Sequence, residues 1–317
     1  MSVIAEGQYT FTNSSPTSTL IDEENAVWEM KEVIRGEYSF EKVDCPRMVQ
    51  VSRGSEFLLL LDTEGQVWGS GSNFYGQLSG GDPETLYGCN KVYGFPQAIK
   101  KISAGDNHTL ALDIDGQVWG CGSDTSGQLN ANSHKIFSPI PIKGAPQAQD
   151  IAAGNLFTVI LDIDGLPHYF PAIYRQLGEQ YTSENSLDIQ QIAAYNSSLL
   201  MDSKMRLWRL VGNISYKFEN GIQQIVCSRL CEIVLDCAGK TWILWNGAPK
   251  FEEVANEEPV AEIFLSWGIF VTIHLDDQIT VRNLQENSHN IVKTEVNMPF
   301  KLLSSRRNVI TKSARTA

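Results

Sequence analysis

Positive charge is scarce in this 317-residue chain. Lys and Arg number 25 against 37 Asp and Glu, giving a net charge of −12 and a pI near 4.9. Holding nucleic acid through its phosphates needs clustered cations, so that partner class is not expected. Long apolar runs are also lacking. The strongest, Phe57–Leu61, is far too short to span a bilayer, and no membrane role is expected. No charged segment followed by an apolar core opens the chain, and the final Ala-Arg-Thr-Ala carries no prenylation cysteine. The six cysteines, Cys45, Cys89, Cys121, Cys227, Cys231 and Cys237, include no Cys-x-x-Cys pair. They read as reduced thiols in strands or loops rather than disulfides or metal ligands. A reducing compartment follows, cytoplasmic with the nucleus as the alternative.

Catalytic signatures are missing as well. The five histidines, 108, 134, 168, 274 and 289, share no metal-ligand spacing, and neither a nucleophile elbow nor His-Glu-x-x-His occurs. His108 reads as a hydrogen-bonded structural residue rather than a base. Asp113-Ile114-Asp115-Gly116 could open a calcium loop, but the bidentate Glu that should follow is absent, so turn chemistry explains it. Gly69-Ser70-Gly71 through Gly76 is glycine-rich, yet no helix pattern follows to hold a phosphate. No catalytic residue, cofactor or metal is expected, and the chain does not read as an enzyme.

What the sequence does contain is repetition. In residues 101–129, KISAGDNHTLALDIDGQVWGCGSDTSGQL, an apolar strand meets Asp115-Gly116 and a second strand follows at once. Asp-Gly predicts a tight hairpin with a two-residue type I′ turn. Residues 50–78 repeat the same landmarks, with Asp62 and Asp113 standing 51 residues apart. A third copy begins IAAGNLFTVILDIDG at 151. These three clear copies cover 49–178. Degenerate copies over 189–281 keep Asp202 with Trp208 and Asp236 with Trp242, and a last one is recognisable by its strand pattern alone. A fixed period governs the whole fold, and 42% hydrophobic residues suffice for its core.

The termini suggest how the array ends. Glu6-Gly7-Gln8-Tyr9 is similar to Glu64-Gly65-Gln66-Val67, the second half of a hairpin, and residues 301–317 look like the first half of a copy. A closing blade built from 291–317 plus 1–12 would make seven. Residues 13–25 read as a polar loop, and 26–33 as either a short strand or a helical turn. The expected fold is all-β, a seven-bladed β-propeller closed by strands from both termini, with residues 1–317 forming a single domain.

The pattern A-G-x-x-H-T-x-x-L-x-x-x-G-x-V-W-G-x-G followed by G-Q-L, nearly complete over 104–129, resembles the regulator of chromosome condensation repeat. The resemblance implies seven four-stranded blades. It also implies one of several roles: exchange factor for Ran, domain of a ubiquitin ligase or ciliary protein, or scaffold. In the Ran-activating member the active face resembles an Asp just after the glycine of repeat two, an Asp in repeat three and a His in repeat five. Asp106 matches the first, whereas Leu156 and Leu230-Cys231 stand at the others. That member's wedge hairpin has no room here, since Trp119 and Gln128 are nine residues apart.

Equivalent loops of successive blades should emerge on one rim. The residues after each repeat's glycine position are Ser55, Asp106, Asn155, Asn196, Arg229, Trp267 and Arg307. Of these, Asp106, Asn155, Arg229, Trp267 and Arg307 are the expected partner-binding residues. Trp and Arg are common interface anchors, and the two arginines would suit an acidic patch on the partner. The reading is a monomeric, non-catalytic protein-interaction propeller. The alternatives are exchange factor for a Ran-like small GTPase and substrate-recruiting subunit of a ubiquitin ligase.

Overall fold

The computed structural model describes residues 18–34, 37–80, 84–96, 98–171, 188–209, 214–246, 248–256, 258–266, 269–275, 278–285 and 290–295. Every regular element among them is a strand, and the strands form seven antiparallel sheets in which sequence neighbours pair. The sheets are β1–β3 (Ser18–Ile21, Val27–Ile34, Glu37–Val43), β4–β7 (Met48–Arg53, Phe57–Asp62, Val67–Gly71, Leu86–Lys91) and β8–β11 (Ile99–Ala104, His108–Asp113, Val118–Ser123, Lys135–Pro141). They continue with β12–β14 (Ala148–Ala153, Thr158–Asp162, Pro167–Phe170) and β15–β18 (Ile189–Ala194, Ser198–Asp202, Leu207–Arg209, Ile214–Tyr216). The last two are β19–β22 (Ile222–Cys227, Cys231–Asp236, Thr241–Trp245, Glu252–Val254) and β23–β26 (Val260–Ser266, Ile269–His274, Ile279–Gln285, Asn290–Glu295).

The described residues divide into two compact units, those within 50–192 and those within 18–49 and 193–295. In the first, Phe57, Leu59 and Leu61 of β5 pack with Ile99, Ile102 and Ala111 of the next sheet. Leu110, Leu112 and Val118 pack in turn with Ile151, Ile160 and Phe170. In the second unit, Leu20 and Met30 pack against Val271, Ile273 and Val281. The earliest described sheet therefore lies against the last one.

That early sheet is a finding the sequence did not lead us to expect. Residues 13–25 read as a loop, yet β1 leads into Asp22 and β2 carries Trp28, the same landmarks as the repeats centred on Asp62 and Asp113. The residues expected to build a closing blade are placed differently where they are described, because 291–295 belong to β26, the fourth strand of its sheet. Residues 1–12 and 296–317 lie outside the described residues.

One local device forms each hairpin. In the second sheet the Asp62 carboxylate accepts N–H bonds from Glu64 (2.9 Å) and Gln66 (2.8 Å) on one oxygen and the Trp68 indole (2.7 Å) on the other. The same three bonds recur at Asp22 with Glu24, Ala26 and Trp28, and at Asp113 with Asp115, Gln117 and Trp119. Asp202 and Asp236 repeat them with Trp208 and Trp242. His168 replaces the indole at Asp162, with Nε2 2.6 Å from the carboxylate. In the last sheet His274 stands in the Asp position, and its Nε2 lies 3.0 Å from Thr280 Oγ1. All six carboxylates are buried. A buried anion is tolerated only when its lone pairs are filled by donors, and here they are. Burial raises the Asp202 pKa, but the Arg206 N–H, the Trp208 indole and the Arg206 guanidinium outweigh it and hold the carboxyl below its usual range.

The turn differs from the expected type. Gly116 N–H donates to the Asp113 carbonyl and Asp113 N–H to that of Gln117, so Ile114, Asp115 and Gly116 form a three-residue loop. Of the three, only Gly116 has positive φ, at 85°. This is a turn followed by one left-handed glycine. The carboxylate, by binding the N–H groups at i+2 and i+4, selects the longer loop over the two-residue one.

Replacing Asp113 with Ala strands two backbone N–H groups and an indole N–H in the interior. Asp113→Ala should cost about 2–4 kcal/mol, read as a lowered denaturant midpoint, with Ile114→Ser next to it near neutral. Gly116→Val meets both the positive φ and the Gln147 side chain, 2.7 Å from an added Cβ, and should cost about 1–3 kcal/mol. An unmoved midpoint in either would refute the hub or the turn assignment.

Candidate protein-docking rim

In the sheets from β4 onward, the loops joining the first and second strands lie at the end of the strands away from these turns. In the first unit they are drawn together by glycines. A Cβ on Gly54 would stand 2.6 Å from the Gly105 carbonyl oxygen, and one on Gly105 would stand 2.4 Å from that of Gly154. Ser55 N–H donates to the Asp106 carbonyl at 3.1 Å. Neither Gly54, Gly105 nor Gly154 has positive φ, so these glycines serve close approach rather than backbone freedom.

Strand edges near these loops are closed by side chains. Gln50 donates to the Ile102 carbonyl and accepts the Ile102 N–H, both at 2.9 Å. Ser52 Oγ accepts the Ala104 N–H and Ser103 Oγ the Ala153 N–H. In the second unit Gln224 makes the same double bond with Ile263, and Gln223 reaches the Ala261 carbonyl. The first strands β4, β8 and β19 thus satisfy backbone groups of the next sheet without an intervening strand.

Behind the loops the titratable groups are packed away. His108 is buried, with Nε2 3.2 Å from Thr158 Oγ1 and Nδ1 unpartnered, and burial lowers its pKa to about 3. It occupies the place that Phe57 and Phe157 hold in the neighbouring sheets, under the glycine of its own loop. Burial pushes the Cys121 and Cys231 thiols up to about 12 and raises Cys227 well above the ordinary value. None of these is poised as a nucleophile or base at neutral pH. Among the described residues no three His, Cys, Asp or Glu side chains cluster to hold a metal.

The expected partner-binding residues fare unequally. Asp106 and Asn155 are half-buried in the first unit, on loops placed side by side by Gly105 and Gly154. Arg229 is exposed in the second unit, where its carbonyl accepts bonds from the Asn196 and Asn246 side chains. Trp267 and Arg307 lie outside the described residues. Two exposed residues on the first unit's loops were not singled out as contacts: Leu156, 44% exposed, and Phe74, 53% exposed. Phe74 belongs to the Gly-Gln-Leu turn, which leaves from beside Glu56 through the Ser72 N–H to Glu56 carbonyl bond. Lys135 Nζ sits 3.8 Å from its ring centroid. The repeat pattern hides both residues, because neither falls at a landmark position.

The description "Regulator of chromosome condensation (RCC1) repeat" matches residues 48–77 and 99–128, and a second model with the same description matches 115–161. Residues 48–77 and 99–161 therefore carry regulator of chromosome condensation repeats. The human protein RCC2 is 34% identical over 125 residues, 38% of this chain and 24% of its own length. An RCC1 repeat-containing protein of Schizosaccharomyces pombe is 47% identical over 73 residues, 23% of this chain and 20% of its own. The chain therefore aligns with about a quarter or less of these relatives' length. Among solved structures, Prp20p of Saccharomyces cerevisiae matches with a TM-score of 0.66 at 13% identity, covering 99% of both chains. Human WBSCR16 matches at 0.69 and 15%, covering 84% of this chain and 85% of its own. The fold class is the seven-bladed propeller.

A His108→Phe variant tests the buried imidazole. The folded pKa is depressed below the unfolded 6.5, so the unfolded state binds the extra proton and His108 makes stability fall as pH drops from about 6.5 toward 3. The variant should show a shallower acid limb over that window. An identical limb would refute the buried, neutral assignment. In the same loop, Gly105→Ala should lower the denaturant midpoint by an amount worth about 1–3 kcal/mol, since the added methyl faces both His108 and the Gly154 carbonyl.

Proposed function

We propose that this chain is a non-catalytic protein-docking propeller, and that in its first unit the contact surface is the loop rim bearing Ser55, Asp106, Asn155, Leu156 and Phe74. The observation that carries the reading is the glycine-to-carbonyl approach of Gly54, Gly105 and Gly154. It holds three loops in register while Leu156 and Phe74 remain in solvent. A rigid loop row with apolar side chains on it loses little entropy on binding and offers anchors. Arg229 extends the proposal to the second unit as a separate contact. The absence of a Cys-x-x-Cys pair supports a reducing compartment, the cytoplasm or the nucleus, and we take the chain to act as a monomer.

A second reading is nucleotide exchange on a Ran-like GTPase. It draws on Asp106, and on the solved relative Prp20p, whose reported binding partners are Gsp1p and histones. Two assays separate the readings. Affinity capture with quantitative mass spectrometry should give a partner set that Leu156→Asp with Phe74→Ser loses at unchanged melting temperature. Full retention by that variant would overturn the docking assignment. Accelerated nucleotide release from a Ran-like GTPase, abolished by Asp106→Ala, would favour exchange, and no acceleration would dismiss it.

A further inference from the structure

The hairpin turns at the other end of the strands carry side chains that the turn does not call for. Among the described residues the exposed large aliphatic side chains are Val49, Ile114, Leu156, Ile163, Met205 and Leu275. Four of these six sit on the turns that follow the hub position. In the first unit the pair is Ile114, 63% exposed, and Ile163, 60% exposed. Each directly follows a hub carboxylate, where a solvent-facing turn residue is ordinarily Asp, Asn, Ser or Gly. Each is followed by an exposed acid, Asp115 and Asp164, and the neighbouring turn presents Thr63 and Glu64.

These three turns form one continuous row. The Gly65 carbonyl accepts the Ile99 N–H, and the Ala98 carbonyl accepts the Ile114 N–H. The Gly116 carbonyl accepts the Ala148 N–H, and the Gln147 carbonyl accepts the Ile163 N–H. Gln147 Nε2 also donates to the Asp115 carbonyl at 3.0 Å, so a single residue ties the second turn to the third. The row is held by backbone bonds and presents aliphatic and anionic side chains in alternation. Lys91, Lys100, Lys101, Lys135 and Lys143 lie between these turns in sequence, Lys101 paired with Asp150, and no cation lies within the turns themselves.

We propose that this turn row, Glu64, Ile114, Asp115, Ile163 and Asp164, is a second docking surface that takes a basic polypeptide segment in which Lys or Arg alternates with aliphatic residues. The two isoleucines supply apolar contact, and the three carboxylates supply charge complementarity. The same carboxylates disfavour a second copy of this acidic chain, a nucleic acid or an anionic lipid surface. This surface lies at the opposite ends of the strands from the loop rim and does not depend on it.

The test uses the full chain and short fluorescein-labelled peptides, followed by anisotropy at low and physiological salt. The alternating Lys-Leu peptide should bind, with Lys-Ser weaker by about tenfold or more and Glu-Leu not binding at all. Ile114→Ser with Ile163→Ser should cost about tenfold in Lys-Leu affinity while the melting temperature holds. Asp115→Asn with Asp164→Asn should weaken binding and flatten its salt dependence. Equal binding of Lys-Ser and Lys-Leu, or Lys-Leu affinity indifferent to both double variants, would overturn the proposal. So would absence of Lys-Leu binding. A wild-type dimer on sedimentation that the Ile→Ser variant dissolves would assign the surface to self-association instead, and a Glu-Leu peptide binding as well as Lys-Leu would remove the charge argument.

Discussion

A single buried carboxylate at one hairpin turn in six of the seven sheets is the constraint on which the rest of the structure depends. Asp22, Asp62, Asp113, Asp162, Asp202 and Asp236 each bind two backbone N–H groups of their own turn and a ring N–H on the following strand. Three charge-assisted bonds fix loop length, strand register and the outward tilt of the aromatic ring together. The His274–Thr280 pair takes the same place in the last sheet without a carboxylate, and hydrogen bonding again ties the turn to the following strand.

From that constraint the two ends of each sheet acquire different jobs. At the turn end, the glycine carbonyl freed by the hub receives the first N–H of the next sheet, as Gly65 does from Ile99 and Gly165 from Ile189. At the loop end no buried carboxylate plays that part. Contact is achieved by removing side chains altogether at Gly54, Gly105 and Gly154, and by Gln and Ser side chains that stand in for a missing strand. The turn end is therefore defined by added polar groups and the loop end by subtracted bulk. Both leave solvent-facing positions unconstrained, and those positions carry Phe74, Leu156, Ile114 and Ile163.

Much of this was legible in the sequence, for reasons that particular residues make clear. Asp113, Gly116 and Trp119 recur at fixed spacing because one hydrogen-bonded unit needs all three, so the period exposed the fold and the strands of the first unit. The sheet at 18–43 escaped notice because it has Asn25 in place of the turn glycine and lacks the Ala-Gly opening. Only Asp22 and Trp28 mark it, and two residues do not make a pattern by eye. The Gln50 and Gln224 staples were hidden too, because glutamine in a strand reads as solvent-facing unless the neighbouring strand's carbonyl is known. For the candidate site, spacing placed Asp106 and Asn155 on adjacent loops. The most exposed apolar groups sit between landmarks, where a repeat carries no information.

The hub draws all its ligands from seven consecutive residues, whereas the staples and glycine contacts join different sheets. A duplicated repeat would thus bring its own turn lock intact but would have to fit its flanks to whichever neighbours it landed beside. Selection on such an array acts on two separable scales. The local motif can persist through extensive drift, as Asp202 and Asp236 do. The Ala-Gly opening and the Gly-Gln-Leu turn, which also touch the neighbouring copy, differ from one copy to the next. Degenerate repeats in this chain are better described as re-matched borders around conserved interiors than as decaying copies.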